Sequence, residues 1–270
     1  MINKLKMVFR IFFPKKKSIE SSLSYSIKNN KKIKHYHIKD GVYYLKLFSG
    51  STVLCRNHNF SDYDVFNQIF NYEEYEIIHG LFKLNGFYDN EIIIIDAGAN
   101  VGYSSLFFLE KHVATKIFGI EPSKENIKIF KSNVDLNNFQ DNVFLYQCAL
   151  SEKQNTFFTI NKDFRDGKDW SLSTEENQAG AIEGITINEI INQHQLKVIS
   201  LLKIDIEGAE RFIFKKENDL SFLLITRLIA IEIHDEFDIR ADIYAILKAN
   251  NFFLFESGEL TIAINKQFLN

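Results

Sequence analysis

Proline is almost missing from this chain, with two residues in 270. No Pro-rich linker divides it, so domain boundaries have to be read from other signals. Cysteine is as scarce. Cys55 and Cys148 lie far apart with no CxxC pair, which argues against a disulfide framework or a zinc cluster and suits a reducing cytoplasm. The apolar run Met7 to Phe13 is interrupted by Arg10 and falls far short of the ~20 residues a membrane span needs. No small-residue cleavage site follows it, so neither a transmembrane helix nor a secretory signal is expected. A GxGxxG turn and any internal repeat are also lacking.

What is present suits an enzyme-sized globular chain. It is 46% hydrophobic and 25% charged, enough for one sizeable core and a small appendage. Charge is unevenly spread. Residues 1–40 carry eleven Lys and Arg against Glu20 and Asp40, a net of +9, which leaves −12 for the rest if the whole is −3. Two readings of this basic arm stand open. Phe9, Phe12 and Phe13 sit in a membrane interface with the lysines on anionic headgroups, or the arm is simply solvated. The expected location is cytoplasmic, with an inner-membrane surface as the partner in the first case. Nucleic acid is not an expected partner, because the remainder is acidic and no recognition motif occurs.

From about Glu91 short apolar runs (IIIIDA, KIFGIE, NVFLYQCAL, VISLLKID, RLIAIEIH) alternate with polar segments of helical length. That rhythm predicts parallel strands joined by crossover helices, an α/β doubly wound sheet. Between Leu150 and Val198 it breaks into a strand (NTFFTIN), a long polar loop and a short helix (TINEIINQH). FFLFE and TIAIN, joined by SGE, predict an antiparallel hairpin closing the sheet edge. Upstream, Val65, Phe66, Ile69 and Phe70 mark a helical face after an Asp/Ser-rich start suited to capping it. Residues 31–56 read as short strands. The expected division is 1–60, a basic arm with a small β region, and 61–270, the main domain.

The stretch IIIIDAGANVGYSS, Ile92 to Ser105, runs from a strand through a glycine turn into a helix. Such a turn lets a ligand approach the backbone and offers free N–H groups at the helix end. The spacing of Gly98, Asn100 and Gly102 misses the dinucleotide pattern, and Asp96 at the strand end would repel a pyrophosphate. S-adenosylmethionine, with a sulfonium, an ammonium and no phosphate, suits an acidic strand end better. Glu121 ends the next strand, where a carboxylate can accept both hydroxyls of a ribose. Ser123 then reads as the N-cap of the following helix.

These runs, IDAGANVGYSSLFF, IFGIEPSKENIKIFKSNV, the CALS after the third strand and above all LLKIDIEGAE, resemble the FkbM family of S-adenosylmethionine-dependent methyltransferases. The resemblance spans roughly Asp62 to His234. It implies a class I methyltransferase (Rossmann-like) fold, mostly parallel, with the cofactor over the carboxyl ends of the first strands, near Asp96, Gly98, Asn100, Gly102, Glu121 and Ala149. It also implies O-methylation, commonly of a sugar or polyketide-type hydroxyl. A nucleotide-dependent oxidoreductase and a catalytically silent Rossmann-like binding module are the alternatives.

In LLKIDIEGAE, strand alternation puts Lys203, Asp205 and Glu207 on one face. The next run, LIAIEIHDE, repeats this with Glu232 and His234. If the two strands are neighbours, these groups converge where open α/β sheets bind ligands. Asp205, Glu207 and His234 are therefore the candidate catalytic residues. His234 is suited to act as general base, with Asp205 or Glu207 orienting it or binding a hydroxyl, or the acids share a divalent cation. Lys203 neutralises its strand neighbours, and Glu210 favours a helix N-terminus. Trp170, beside Ser171 and Ser173 in the polar loop, either stacks on a sugar or anchors the loop.

Overall fold

The structure is a computed structural model and describes residues 19–87, 91–111, 113–161, 173–177 and 179–269. Helix α1 (Ile19–Lys28) leads into an antiparallel sheet of β1 (Ile33–Lys39), β2 (Val42–Leu47) and β3 (Thr52–Cys55). Alternation in β2 buries Tyr43, Leu45 and Leu47, and these join one apolar layer with Phe66 and Tyr103. The small sheet thus shares a core with the helices of the main domain.

Helix α2 (Asp62–Phe66) continues as a π-helical turn, Asn67–Asn71, and α3 (Glu76–Leu84) comes next. Phe66, Ile69 and Phe70 are buried along the expected face. The expected capping is absent. Ser61 makes no side-chain cap hydrogen bond, and Asp62 turns inward instead, drawn by the guanidinium of Arg56 at 2.6 Å.

The main sheet takes β4 (Ile93–Ala97), β5 (Lys116–Ile120) and β6 (Val143–Tyr146), joined by α4 (Tyr103–Glu110) and α5 (Lys124–Leu136). A second small sheet is built from β7 (Ala149–Leu150), β8 (Phe157–Asn161), β9 (Ser173–Glu176) and β10 (Ile182–Ile185). After α6 (Ile187–His194) come β11 (Ile199–Ile204), α7 (Glu210–Ile213), β12 (Thr226–Glu232), α8 (Arg240–Ala249), β13 (Phe252–Ser257) and β14 (Leu260–Asn265). The order is β13-β14-β12-β11-β4-β5-β6, parallel from β6 to β12. β14 runs antiparallel to both β12 and β13, which is the C-terminal hairpin read from the sequence. This is the α/β class I methyltransferase fold.

The sheet separates two apolar layers. Ile94, Ile117, Leu201 and Leu228 face one, while Ile93, Ile95, Phe118, Leu202 and Ile229 face the other. Burial on both faces explains why these strands read as unbroken apolar runs rather than alternating ones.

Two expectations are corrected. The polar loop after β8 contains β9 and β10, because STEE pairs antiparallel with β8 as an edge strand and needs no apolar alternation to do so. Strand alternation does not reach Glu207: β11 ends at Ile204, and Glu207 has a left-handed φ of 56°. Ser123 caps α5 as expected, its side chain accepting from the Asn126 N–H. The arm Met1 to Lys17, Trp170 and Ser171 lie outside the described residues. Among the described residues no helix is long and apolar enough to cross a membrane.

Candidate active site

A cavity of about 270 Å³ opens at the carboxyl ends of β4, β5, β11 and β12. Its lining includes Gly98, Asn100, Glu121 and Ala149, and also five acids, Glu74, Asp205, Glu207, Glu232 and Glu259, together with Lys203.

The glycine turn is shaped by close packing. Gly98 has φ +74°, and a Cβ there would overlap the carbonyl oxygen of Asp205, so only glycine lets this loop cross the end of β11. Gly102, at φ +83°, lies against the ring of Phe130, where α4 meets α5. It shapes the loop from behind rather than walling the cavity.

Asp96, expected beside the cofactor, does not line the cavity either. It is fully buried, and its Oδ2 accepts from Ser104 Oγ and Ser105 Oγ, each at 2.7 Å. Its Oδ1 lies 3.3 Å from Lys203 Nζ. Parallel pairing of β11 with β4 sets Lys203 beside Asp96, and the buried ammonium draws the carboxylate inward. The same Nζ donates to Gly98 O at 2.8 Å and stands 3.7 Å from Asp205. Burial disfavours the charge on Lys203, but Asp96 and Asp205 outweigh it and its pKa is raised.

Glu121 lies where the sequence puts it, at the end of β5. Its Oε2 accepts the Asn100 N–H at 3.0 Å and its Oε1 the Ser123 N–H at 2.8 Å. Burial pushes its carboxyl up to about 7 against these hydrogen bonds. The fit to S-adenosylmethionine is chemical: a carboxylate with an accepting position left for a ribose hydroxyl, a glycine turn without side-chain bulk, and a buried Asn100 Oδ1 that finds no hydrogen-bond partner among the described residues.

Asp205 and Glu207 line the same cavity, brought together by the turn after β11 rather than by alternation. His234 is buried behind them, outside the cavity wall. Its Nδ1 is 3.2 Å from Glu210, and its Nε2 is 3.4 Å from Glu207 and 3.7 Å from Glu232. Burial opposes a charged ring, but Glu207, Glu210 and Asp205 outweigh it and push His234 up to about 11. A raised pKa favours the protonated ring, which has no lone pair to take a proton, and His234 does not line the cavity as Asp205 and Glu207 do. Glu210 is fully buried and accepts the Ile206 N–H at 2.9 Å, so it fixes the turn as well as the histidine.

The sequence reading missed Glu74 and Glu259. Glu74 lies just past the π-helical turn and has no local signal; burial, then the Asp205 charge, pushes it up to about 7. Glu259 lies in the SGE turn of the hairpin, and the pairing of Glu232 with Leu260 brings it to the cavity. Glu232 is pushed up to about 8 by burial and by Asp205.

A mixed seven-stranded sheet of this order, with a glycine turn after its first strand and an acid ending the second, defines a class I methyltransferase. Residues 96–254 match the Methyltransferase FkbM domain, and the chain belongs to the FkbM family of S-adenosylmethionine-dependent methyltransferases. The dinucleotide oxidoreductase alternative falls with that match. Methyltransferase sdnD of Sordaria araneosa is 28% identical over 189 residues, 59% of this chain and 73% of that protein. The 31-O-demethyl-FK506 methyltransferase FkbM of Streptomyces tacrolimicus is 23% identical over 245 residues, 80% and 90% of the two chains. Among solved structures, Methyltransferase FkbM from Methylobacillus flagellatus KT is similar with a TM-score of 0.39 and 16% identity. That likeness covers 64% of this chain and 43% of the other, so this chain spans under half of its length.

Proposed function

We propose that this methyltransferase acts on a hydroxyl oxygen of a sugar, glycan or related small molecule. One observation carries the reading: the same cavity that Glu121 lines is also lined by the oxygen acceptors Asp205, Glu207 and Glu232, suited to hydrogen-bonding a polyhydroxylated molecule. The Streptomyces relative, a 31-O-demethyl-FK506 methyltransferase by name, agrees with it.

Bound S-adenosylmethionine would supply an electrophilic methyl group on a sulfonium. Glu121 would accept a ribose hydroxyl, with Gly98 and Asn100 lining the cavity beside it. Asp205 and Glu207 hold the acceptor hydroxyl, and one of them takes its proton as the oxygen is alkylated. His234, 3.4 Å from Glu207, helps to keep that carboxylate in place. The test is incubation of the protein with methyl-labelled cofactor and a panel of free sugars, glycosides and nucleotide sugars. Label in a hydroxyl methyl ether supports the reading, and label only in amines or carboxylates overturns it.

A divalent cation is the second reading, favoured by one observation. Asp205, Glu207 and His234 each offer a donor atom, all within 4.8 Å of one another. Such an ion would have to displace the His234 proton. Loss of methylation on chelation, restored by Mg²⁺ or Mn²⁺, would establish it.

A further inference from the structure

We infer that Arg56 and Asn126 are positioning residues for Glu121, so that the small N-terminal sheet is a working part of the cofactor site. The inference rests on the reading of Glu121 as an acceptor for the cofactor's ribose.

A buried polar chain runs from the end of β3 to that carboxylate. Arg56 comes directly after β3 and is 6% exposed; Asp62, Asn126 and Glu121 are 0%, 2% and 5% exposed. Asp62 accepts from the Arg56 backbone N–H at 2.7 Å and from Nη2 at 2.6 Å and Nε at 3.0 Å. The guanidinium also lies over the Phe60 ring, 4.0 Å from its centre. A planar fork held at its edge and its face has little freedom left. Its Nη2 then donates to Asn126 Oδ1 at 2.9 Å.

That last bond decides the orientation of the amide. Guanidinium has donors only, so the Asn126 oxygen must face it and the Asn126 Nδ2 must point the other way. There it donates to Glu121 Oε1 at 3.3 Å, beside the Ser123 N–H. With the Asn100 N–H on Oε2, three donors fix the carboxylate plane and leave one accepting position, on Oε2, for a ribose hydroxyl.

A second bridge ties the same strand to the glycine turn. Seven residues beyond Asn126, two helical turns along α5, Asn133 accepts the Leu54 N–H at 2.7 Å and donates to Val101 O at 2.8 Å. The Tyr103 hydroxyl, from the first turn of α4, donates to Leu54 O. β3 therefore braces both the turn and the carboxylate from behind the cavity.

The test needs no acceptor. Affinity for S-adenosylhomocysteine is measured by calorimetry in a double-mutant cycle of Asn126→Ala and Glu121→Ala, with melting curves confirming the fold. Asn126→Ala, which removes one hydrogen bond to a charged group, should weaken binding about tenfold in the parent. On the Glu121→Ala background it should change nothing further, because the effect passes through that carboxylate. It should also erode the parent's preference for the ribose ligand over its 2′-deoxy analogue. Arg56→Met strands buried Asp62 and endangers the fold, so the Arg56→Met/Asp62→Leu pair is the second probe, with the same expectations. Binding within twofold of the parent in Asn126→Ala, or an equal loss with and without Glu121, overturns the inference. A Glu121→Ala variant that binds like the parent refutes instead the reading of Glu121, and the positioning role falls with it.

Discussion

Replacing Lys203 by Met removes the cation between Asp96 and Asp205 while keeping an aliphatic stem of similar length. Its Nζ lies 3.3 Å from Asp96 Oδ1 and 3.7 Å from Asp205 Oδ2 and donates to Gly98 O at 2.8 Å. The side chains of Lys203 and Asp96 are 4% and 0% exposed, whereas that of Asp205 is 31% exposed and can turn to water. The loss thus falls on Asp96. Ser104 and Ser105 still serve its Oδ2, but Oδ1 keeps no partner. Stranding one member of a buried pair costs about 3–5 kcal/mol. At ~2–4 °C per kcal/mol for a domain of this size, the melting temperature should fall by roughly 6–20 °C. Asp96→Asn/Lys203→Met carries no buried charge and should recover about 1–3 kcal/mol of that loss through the coupling of the pair. Urea unfolding followed by circular dichroism, with a second probe to confirm a single transition, reads both variants. A Lys203→Met variant within about 1 kcal/mol of the parent, or a double variant less stable than the single one, would refute the pairing as the reason Asp96 faces inward.

Gly98→Ala forces a side chain into left-handed backbone and onto the Asp205 carbonyl, so S-adenosylhomocysteine binding should be lost; calorimetry showing parental affinity would contradict the packing described. Glu121 ionises as pH rises through about 7, above its ordinary 4.5, and hydroxyls donate best to the ionised form. Ligand affinity should therefore climb from about pH 6 to about pH 8 in the parent and stay flat in Glu121→Gln, and a flat parent profile would count against the ribose contact. If the basic arm meets an anionic membrane, removing Met1 to Lys17 abolishes liposome binding at low salt; equal or salt-insensitive binding without it ends that proposal. Asp205→Asn should lower the methylation rate more than cofactor affinity, by about 10²–10⁴ if it takes the proton, and turnover within about threefold would make it structural.

Local sequence was enough for the sheet and for half of the site. Strands buried on both faces need no periodicity, only apolar length, and IIIIDA, KIFGIE and RLIAIEIH carry that signal within themselves. Gly98 and Glu121 were legible for the same reason, since a turn's backbone and a strand's last residue are set by near neighbours. What each charge does is settled by contacts between distant segments. Asp96 faces inward because β11 pairs beside β4 and brings in Lys203, and the pKa of His234 is raised because α7 and the turn after β11 surround it with Glu207 and Glu210. Glu74 and Glu259 reach the cavity from a π-helical turn and a hairpin, and Arg56 meets Asn126 across 70 residues. The state of a buried ionisable group depends on Coulomb and desolvation terms over a few ångströms of space, and sequence spacing does not record which groups the fold brings that close.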